Sequence, residues 1–250
     1  MDNRLARKSK QITRNFIEDI RRIGMKNNIF IFNYNNKIIK FYLPYKRDYV
    51  QQQIIFRKRF YELSLLKTIS KYVPAHATIL DIGSNIGNHI IYYGKILNAK
   101  MIYGFEPQED VFEILQKNIE INKLDHRVNL FKCGLGSSNG FAKVNREGVK
   151  NNNCGANSLI QGTKGDVKIL KLDNIKINDK VDLVKIDTEG FEKDVLEGGE
   201  KTFLKDMPIA WVEVDKKNEE FINNYFKELG YQKRIKLDNY GNNLFLPSKD

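Results

Sequence analysis

"TILDIGSNIGNHI", Thr78 to Ile90, is the stretch on which the fold turns. A short apolar run ends in Asp81, glycines follow at Gly83 and Gly87, and an apolar-patterned segment continues through "GNHIIYYGKILN". That is the order strand, glycine turn, helix. Toward the C-terminus the order repeats. "MIYGFE" reads as a strand before the helix "EDVFEILQKNIEIN", and "VNLFKCG" as a third strand. After an irregular stretch come the strand "VDLVKID", the helical "GFEKDVLEGGEKTFLK", the strand "PIAWVEV" and the helix "KNEEFINNYFKELG". "YQKRIKL" and "NLFLP" close the chain as strands. Alternation of this kind predicts an α/β fold, a mostly parallel sheet with helices on both faces. Such sheets bind ligands beyond the carboxyl ends of their strands. The residues there are Asp81, Glu106, Cys133, Asp187 and Glu213.

Upstream of Thr78 the pattern differs. A helix is predicted over 4–23, with Leu5, Ile12, Phe16, Ile20 and Ile23 on one face, and that face is expected to dock. Two apolar runs then flank Asn33-Tyr34-Asn35-Asn36, a hairpin signal. A second helix is predicted over 51–72. Residues 1–75 therefore read as a helix and hairpin appendage contacting substrate or membrane, and 76–250 as the catalytic domain.

Composition narrows the classes. At 250 residues and 41% hydrophobic content the chain can bury a sizeable core. No apolar run approaches the roughly 18–20 residues of a membrane helix, and "MDNRLARKSKQITRNF" has no signal-peptide core. A cytoplasmic protein is expected. Cys133 and Cys154 fit no metal or redox spacing. Formal net charge is +11, and residues 1–26 contribute +5 of it. Such a segment attracts phosphates, including the anionic inner face of a membrane, or is simply a solvated helix face. Arginine-rich motifs interleaved with stacking aromatics are absent, so no nucleic-acid partner is expected.

The loop after Asp81 limits the ligand. Its glycines let a ligand approach the backbone, and the helix that follows offers free N–H groups to an anion. A dinucleotide pyrophosphate would be repelled by Asp81, and the third glycine of G-x-G-x-x-G is missing. A zwitterionic amino acid suits the loop, its ammonium toward Asp81 and its carboxylate toward the amides. Glu106 ends the next strand, where a carboxylate accepts both ribose hydroxyls of a nucleoside. An amino acid joined to a ribonucleoside is S-adenosylmethionine, the expected cofactor.

"TILDIGSNIGNHI", "YGFEPQEDVFEILQKNIEIN", "NNCGANSL" and "LVKIDTEGFEKDVLEGG" together resemble the FkbM-type S-adenosylmethionine-dependent methyltransferases, over roughly Ile79 to Val214. The D-x-E-G-x-E element, Asp187 to Glu192, is the most specific part. The resemblance implies the class I methyltransferase fold, Rossmann-like, with a seven-stranded sheet. It implies O-methylation of a sugar hydroxyl, on a cell-surface glycan or its nucleotide- or lipid-linked precursor. A nucleic acid or another small-molecule hydroxyl is the alternative substrate. Asp81, Gly83, Ser84, Asn85, Gly87, Glu106, Cys133, Gly134 and Asp187 fall in the donor site, and Asp187 and Glu189 on the active-site rim.

Strand alternation puts Asp187 and Glu189 on one face, where two like charges repel. They are expected to position or deprotonate the acceptor. Holding a divalent cation with Glu213 or Asp215, or Glu189 capping the next helix, are the alternatives; no metal is expected. His89, in the first helical turn, is a further base candidate. Asn157 and Ser158, in the polar loop "NNNCGANSLIQG", and Glu213 are expected to contact the substrate.

Overall fold

The computed structural model describes residues 3–145, 158–162 and 165–248. The central sheet has seven strands: β3 (Thr78–Ile82), β4 (Met101–Phe105), β5 (Val128–Phe131), β10 (Leu183–Ile186), β11 (Ile209–Glu213), β12 (Tyr231–Lys236) and β13 (Asn242–Pro247). Their order is β12-β13-β11-β10-β3-β4-β5. Five strands are parallel and the β12–β13 hairpin is inserted antiparallel at one edge. The strand order reverses between β3 and β10, which places a crevice beyond their carboxyl ends. Helices α4 (Asn88–Tyr92), α5 (Glu109–Ile121), α6 (Glu192–Gly198), α7 (Glu200–Asp206) and α8 (Glu219–Glu228) connect the strands.

The stretch read as irregular is ordered in part. β6 (Gly134–Leu135), β7 (Gly140–Asn145), β8 (Ser158–Gly162) and β9 (Val167–Leu170) form a second sheet, inserted between β5 and β10. The long helix expected after Asp187 is two short ones, divided at Gly199, whose N–H bonds back to Leu196.

The N-terminal segment is bound into the same core. The hairpin β1 (Ile29–Tyr34) and β2 (Lys37–Tyr42) turns at Asn35 and Asn36, both left-handed, as a two-residue loop between twisted strands requires. Asn118 and Asn122 of α5 clamp it: Asn118 accepts from the Tyr42 N–H at 2.5 Å, and Asn122 donates to the Lys40 carbonyl at 2.7 Å. Phe30, Phe41 and Phe60 share one buried cluster with Ile79, Ile90 and Ile102 of the α/β unit. The single helix predicted over 51–72 is two, α2 (Tyr49–Arg57) and α3 (Leu63–Ile69), interrupted by left-handed Lys58 and Glu62.

The first helix, α1 (Asn3–Ile23), sits the other way round from expectation. Ile12, Phe16, Ile20 and Ile23 are exposed, while Glu18 is wholly buried. Glu18 accepts from Arg22 at 2.7 Å, Arg47 at 2.9 Å and Gln52 at 3.0 Å. A satisfied ion-pair network therefore holds α1 to α2, and the apolar stripe faces outward.

Candidate active site

Two loops meet at the switch point. The Gly83–Gly87 loop follows β3, and the Asp187–Phe191 loop follows β10. Gly83 is left-handed, and a Cβ there would lie 1.8 Å from the Asp187 carbonyl oxygen, so only glycine lets the loops touch. Gly87 is also left-handed and packs on Leu115, where a Cβ would come within 2.7 Å of Cδ1. Ser84 ties the floor together, donating to the Asp81 carbonyl at 2.7 Å and accepting the Phe105 N–H at 3.0 Å.

Glu192 organises the second loop. One of its oxygens accepts from the Thr188 N–H at 3.1 Å, the Thr188 hydroxyl at 3.0 Å and the Gly190 N–H at 3.0 Å. The strand ends at Ile186 and Glu189 is left-handed, so strand alternation does not carry through to Glu189. Glu189, whose alternative reading was a helix cap, makes no cap bond: the position before α6 is Phe191, without a side-chain cap, and Glu192 binds the loop N–H groups of Thr188 and Gly190.

The cavities follow from this frame. A narrow one, about 40 Å³, lies between Phe105, Glu106, Cys133, Gly134, Leu135 and Phe191. A larger one, about 460 Å³, is walled by Asn85, Glu106, Asp187, Glu189 and Glu213 on one side and by Tyr49, Arg57 and Tyr61 on the other. Gly83, Glu106, Asp187 and Glu189 line both. Asn88 holds the N-terminal wall in place, accepting from the Tyr61 N–H at 2.9 Å and donating to its carbonyl at 3.1 Å.

A buried lysine sets the electrostatics. Lys185 is 1% exposed, pairs in register with Asp81 and lies 2.9 Å from Asp187. Burial works against its charge, but Asp187 and Asp81 raise its pKa above the ordinary lysine value. Burial likewise opposes the Asp187 charge, yet Lys185 and a hydrogen bond from Glu213 hold that carboxyl well below the usual range. Burial and the hydrogen bond to Asp187 push Glu213 well up, and the two carboxyls titrate as a pair. Desolvation at the cavity wall, then Asp187, brings Glu189 up to about 7. Burial brings Glu106 to about 7 and Cys133 to about 11.

The structure therefore brings together Gly83, Asn85, Glu106, Cys133, Gly134, Asp187, Glu189 and Glu213. Asp81 lies one layer beneath, fully buried, with neither carboxylate oxygen hydrogen-bonded, and burial raises its pKa against the pull of Lys185. His89 does not line either cavity: its ring meets Trp211 edge-on at 5.1 Å, with Nε2 3.2 Å from Glu62. Asn157 and the side chain of Ser158 lie outside the described residues. Among the described residues no group of three His, Cys, Asp or Glu side chains is placed to hold a metal ion. Lys185 escaped the sequence reading, although a lysine inside "VDLVKID" was a visible signal of a buried charge partner.

The model of the methyltransferase FkbM domain matches residues 81–233, more than half of the chain. The chain belongs to the FkbM methyltransferase family. An FkbM methyltransferase from Methylobacillus flagellatus, seen in a crystal structure, shares the class I fold. Its TM-score is 0.55 at 17% identity, over 79% of this chain and 54% of that one. Methyltransferase 1 of Beauveria bassiana is 30% identical over 50% of this chain and 59% of its own length. The hexuronic acid methyltransferase AglP of Haloferax volcanii is 26% identical over 55% of this chain and 56% of its own. The chain thus spans about three-fifths of the curated relatives it matches.

FkbM membership makes S-adenosylmethionine the cofactor, and the residues fit it. Glu106 accepts the Asn85 N–H at 3.0 Å on one oxygen and the Gln108 N–H at 2.9 Å on the other, with the Gln108 side chain as a further donor, so its carboxyl is fixed at the strand end on the wall of both cavities, where a ribose hydroxyl would meet it. The apolar walls at Phe105, Leu135 and Phe191 suit a purine ring. Asp187, held low on the wall of both cavities, provides the negative field that an amino-acid ammonium and a sulfonium require.

Proposed function

We propose that this FkbM-family chain transfers a methyl group to a hydroxyl of a saccharide, on a cell-surface glycan or its nucleotide- or lipid-linked precursor. The observation that carries the reading is geometric: Asp187, Glu189 and Glu213 line one wall of the larger cavity, where burial and their mutual charges drive their pKa values apart, Asp187 down, Glu189 up to about 7 and Glu213 up. Groups whose pKa values are driven apart by their surroundings divide the roles of holding and moving a proton. The hexuronic acid specificity in the name of the relative AglP supports a sugar acceptor.

S-adenosylmethionine supplies, when bound, an electrophilic methyl on a sulfonium. Glu106 and the Gly83–Gly87 loop are the residues that would hold it. Glu213 donates to Asp187 and orients it, and Asp187 accepts from a hydroxyl of the acceptor next to the reacting one and fixes its direction. Glu189 takes the hydroxyl proton as the oxygen becomes nucleophilic. Positioning contributes up to about 7–11 kcal/mol of barrier reduction, and the base a further 10²–10⁴-fold, order of magnitude. A carboxylate acceptor would be repelled by the same wall, so the expected product is a methyl ether.

The test is transfer of labelled methyl to a panel of saccharides, followed by mild alkali. An alkali-stable label on the sugar is expected. An alkali-labile label marks an ester and removes Glu189 from the mechanism; a label on a non-saccharide hydroxyl alone returns the alternative substrate class.

A further inference from the structure

The larger cavity, with Asp187, Glu189 and Glu213 on its wall, adjoins a further one of about 330 Å³, and the two share Tyr49, Arg57, Tyr61, Glu62 and Tyr240. The charges change sign along this path. The inner end carries Glu106, Asp187, Glu189 and Glu213, while the outer end adds Arg59 to Arg57. The two acids of the outer cavity are engaged: Glu62 faces His89 at 3.2 Å, and Asp238 accepts from the Tyr240 and Asn242 N–H groups at 2.8 and 3.1 Å. Arg57 bonds only to Gln53, at 3.0 Å, and neither arginine is ion-paired with a carboxylate among the described residues.

We propose that the outer cavity is an anion subsite for the acceptor, in which Arg57 and Arg59 hold a carboxylate or phosphate while the hydroxyl to be methylated reaches the acidic inner end. Guanidinium matches either group in two-point geometry. Tyr49, Tyr61 and Tyr240 supply flat faces and hydroxyls beside it. The polarity fixes orientation, because an acceptor entering anion first would meet four carboxyls. This rests on the acceptor reading above and narrows it to an acidic or phosphorylated saccharide.

Calorimetry on the chain saturated with S-adenosylhomocysteine tests it, with glucuronate, inorganic pyrophosphate and neutral methyl glucoside as probes. At least one anion is expected to bind about tenfold or more tighter than the neutral sugar, weakening with salt. Arg59→Gln should lose that preference, and Arg59→Lys should restore part of it. Preference for glucuronate identifies a uronic carboxylate, preference for pyrophosphate a carrier phosphate. Equal affinity for all three probes, or an unchanged preference in Arg59→Gln, overturns the subsite. S-adenosylhomocysteine failing to bind the native chain would instead overturn the methyltransferase reading itself.

A separate observation concerns α1. Its stripe of Ile12, Phe16, Ile20 and Ile23 is 52–86% exposed. Exposed Arg7, Lys8 and Lys10 accompany it, on a chain of net charge +11. We infer that the stripe lies on an anionic lipid surface. Apolar side chains bordered by cations are the pattern of an interfacial helix, and a second copy of so basic a chain would be repelled. Sedimentation with vesicles tests this. The chain should bind phosphatidylcholine vesicles containing phosphatidylglycerol and not phosphatidylcholine alone, and Phe16→Ser with Ile20→Ser should weaken binding about tenfold or more. No binding to the anionic vesicles, binding unaffected by the double variant, or a dimer in light scattering that the double variant dissolves would each overturn it.

Discussion

Replacing Lys185 by methionine keeps the length of the side chain and removes its charge. The ammonium lies 2.9 Å from Asp187 and is paired in register with Asp81. In the native chain Asp187 is held at about 2, below an ordinary aspartate. The difference corresponds to about 2–3 kcal/mol of stability. Because the folded value is the lower one, that stability is present above about pH 4 and is lost as pH falls toward 2. Without Lys185, burial acts unopposed: Asp187 rises above its unfolded value, and Asp81, already raised by burial in the native chain, rises further. The sign then reverses: the folded variant binds more protons than the unfolded chain, and its stability declines as pH rises. The expected deficit is about 3–5 kcal/mol near pH 8, the cost of breaking a buried pair, shrinking to less than about half of that near pH 5. Urea unfolding at the two pH values measures it. The single tryptophan is a suitable probe, since Trp211 lies 5.6 Å beneath the ammonium. A deficit equal at both pH values, or below about 1 kcal/mol near pH 8, would refute the coupling of these charges.

Glu106→Ala should weaken S-adenosylhomocysteine binding by about 1.5–3 kcal/mol in calorimetry, the loss of a charged hydrogen-bond partner; unchanged affinity removes Glu106 from the ribose site. With Glu189 near 7, it gains a proton below that pH, so the native rate should fall on the acid side of neutrality. Glu189→Gln should lower kcat about 10²-fold and flatten that limb. Phe60, 1% exposed and ringed by Phe32, Tyr34, Phe41 and Tyr92, joins the hairpin to α4. Phe60→Ala should cost about 3–5 kcal/mol in a single unfolding transition seen alike by circular dichroism and tryptophan fluorescence; two separate transitions would mean that the N-terminal segment folds apart from the sheet.

The parallel sheet was legible because a strand buried on both faces is mostly apolar, and "MIYGFE" and "VDLVKID" each end in an acid that lines the crevice, while Asp81 of "TILDIG" lies inside its strand beneath it. Asp187, Glu106 and the glycine loop were singled out for that reason, and the cavities are lined by Asp187, Glu106, Gly83 and Asn85. Lys185 was passed over because its apolar neighbours mark the strand as core, although its partner Asp187 stands only two residues on. Tyr49, Arg57, Tyr61 and Tyr240 reach the cavity from distant positions, and no spacing along the chain marks them. The orientation of α1 was misread for a physical reason. Hydrophobic periodicity assumes that the apolar face turns inward, whereas Glu18 and its arginines form a buried network that turns it out. The second sheet was missed because its short strands, such as Gly140–Asn145, alternate weakly and carry glycine.

The central claim is that this chain places methyl ethers on a saccharide. The most direct measurement is mass spectrometry of saccharides from cells with and without the gene, grown on methionine carrying a ¹³C-labelled methyl group. A labelled methyl ether on a sugar, present only with the gene and lost in Glu189→Gln, is the predicted result. Identical saccharides in both cells, with the label differing only in RNA or protein, would contradict it.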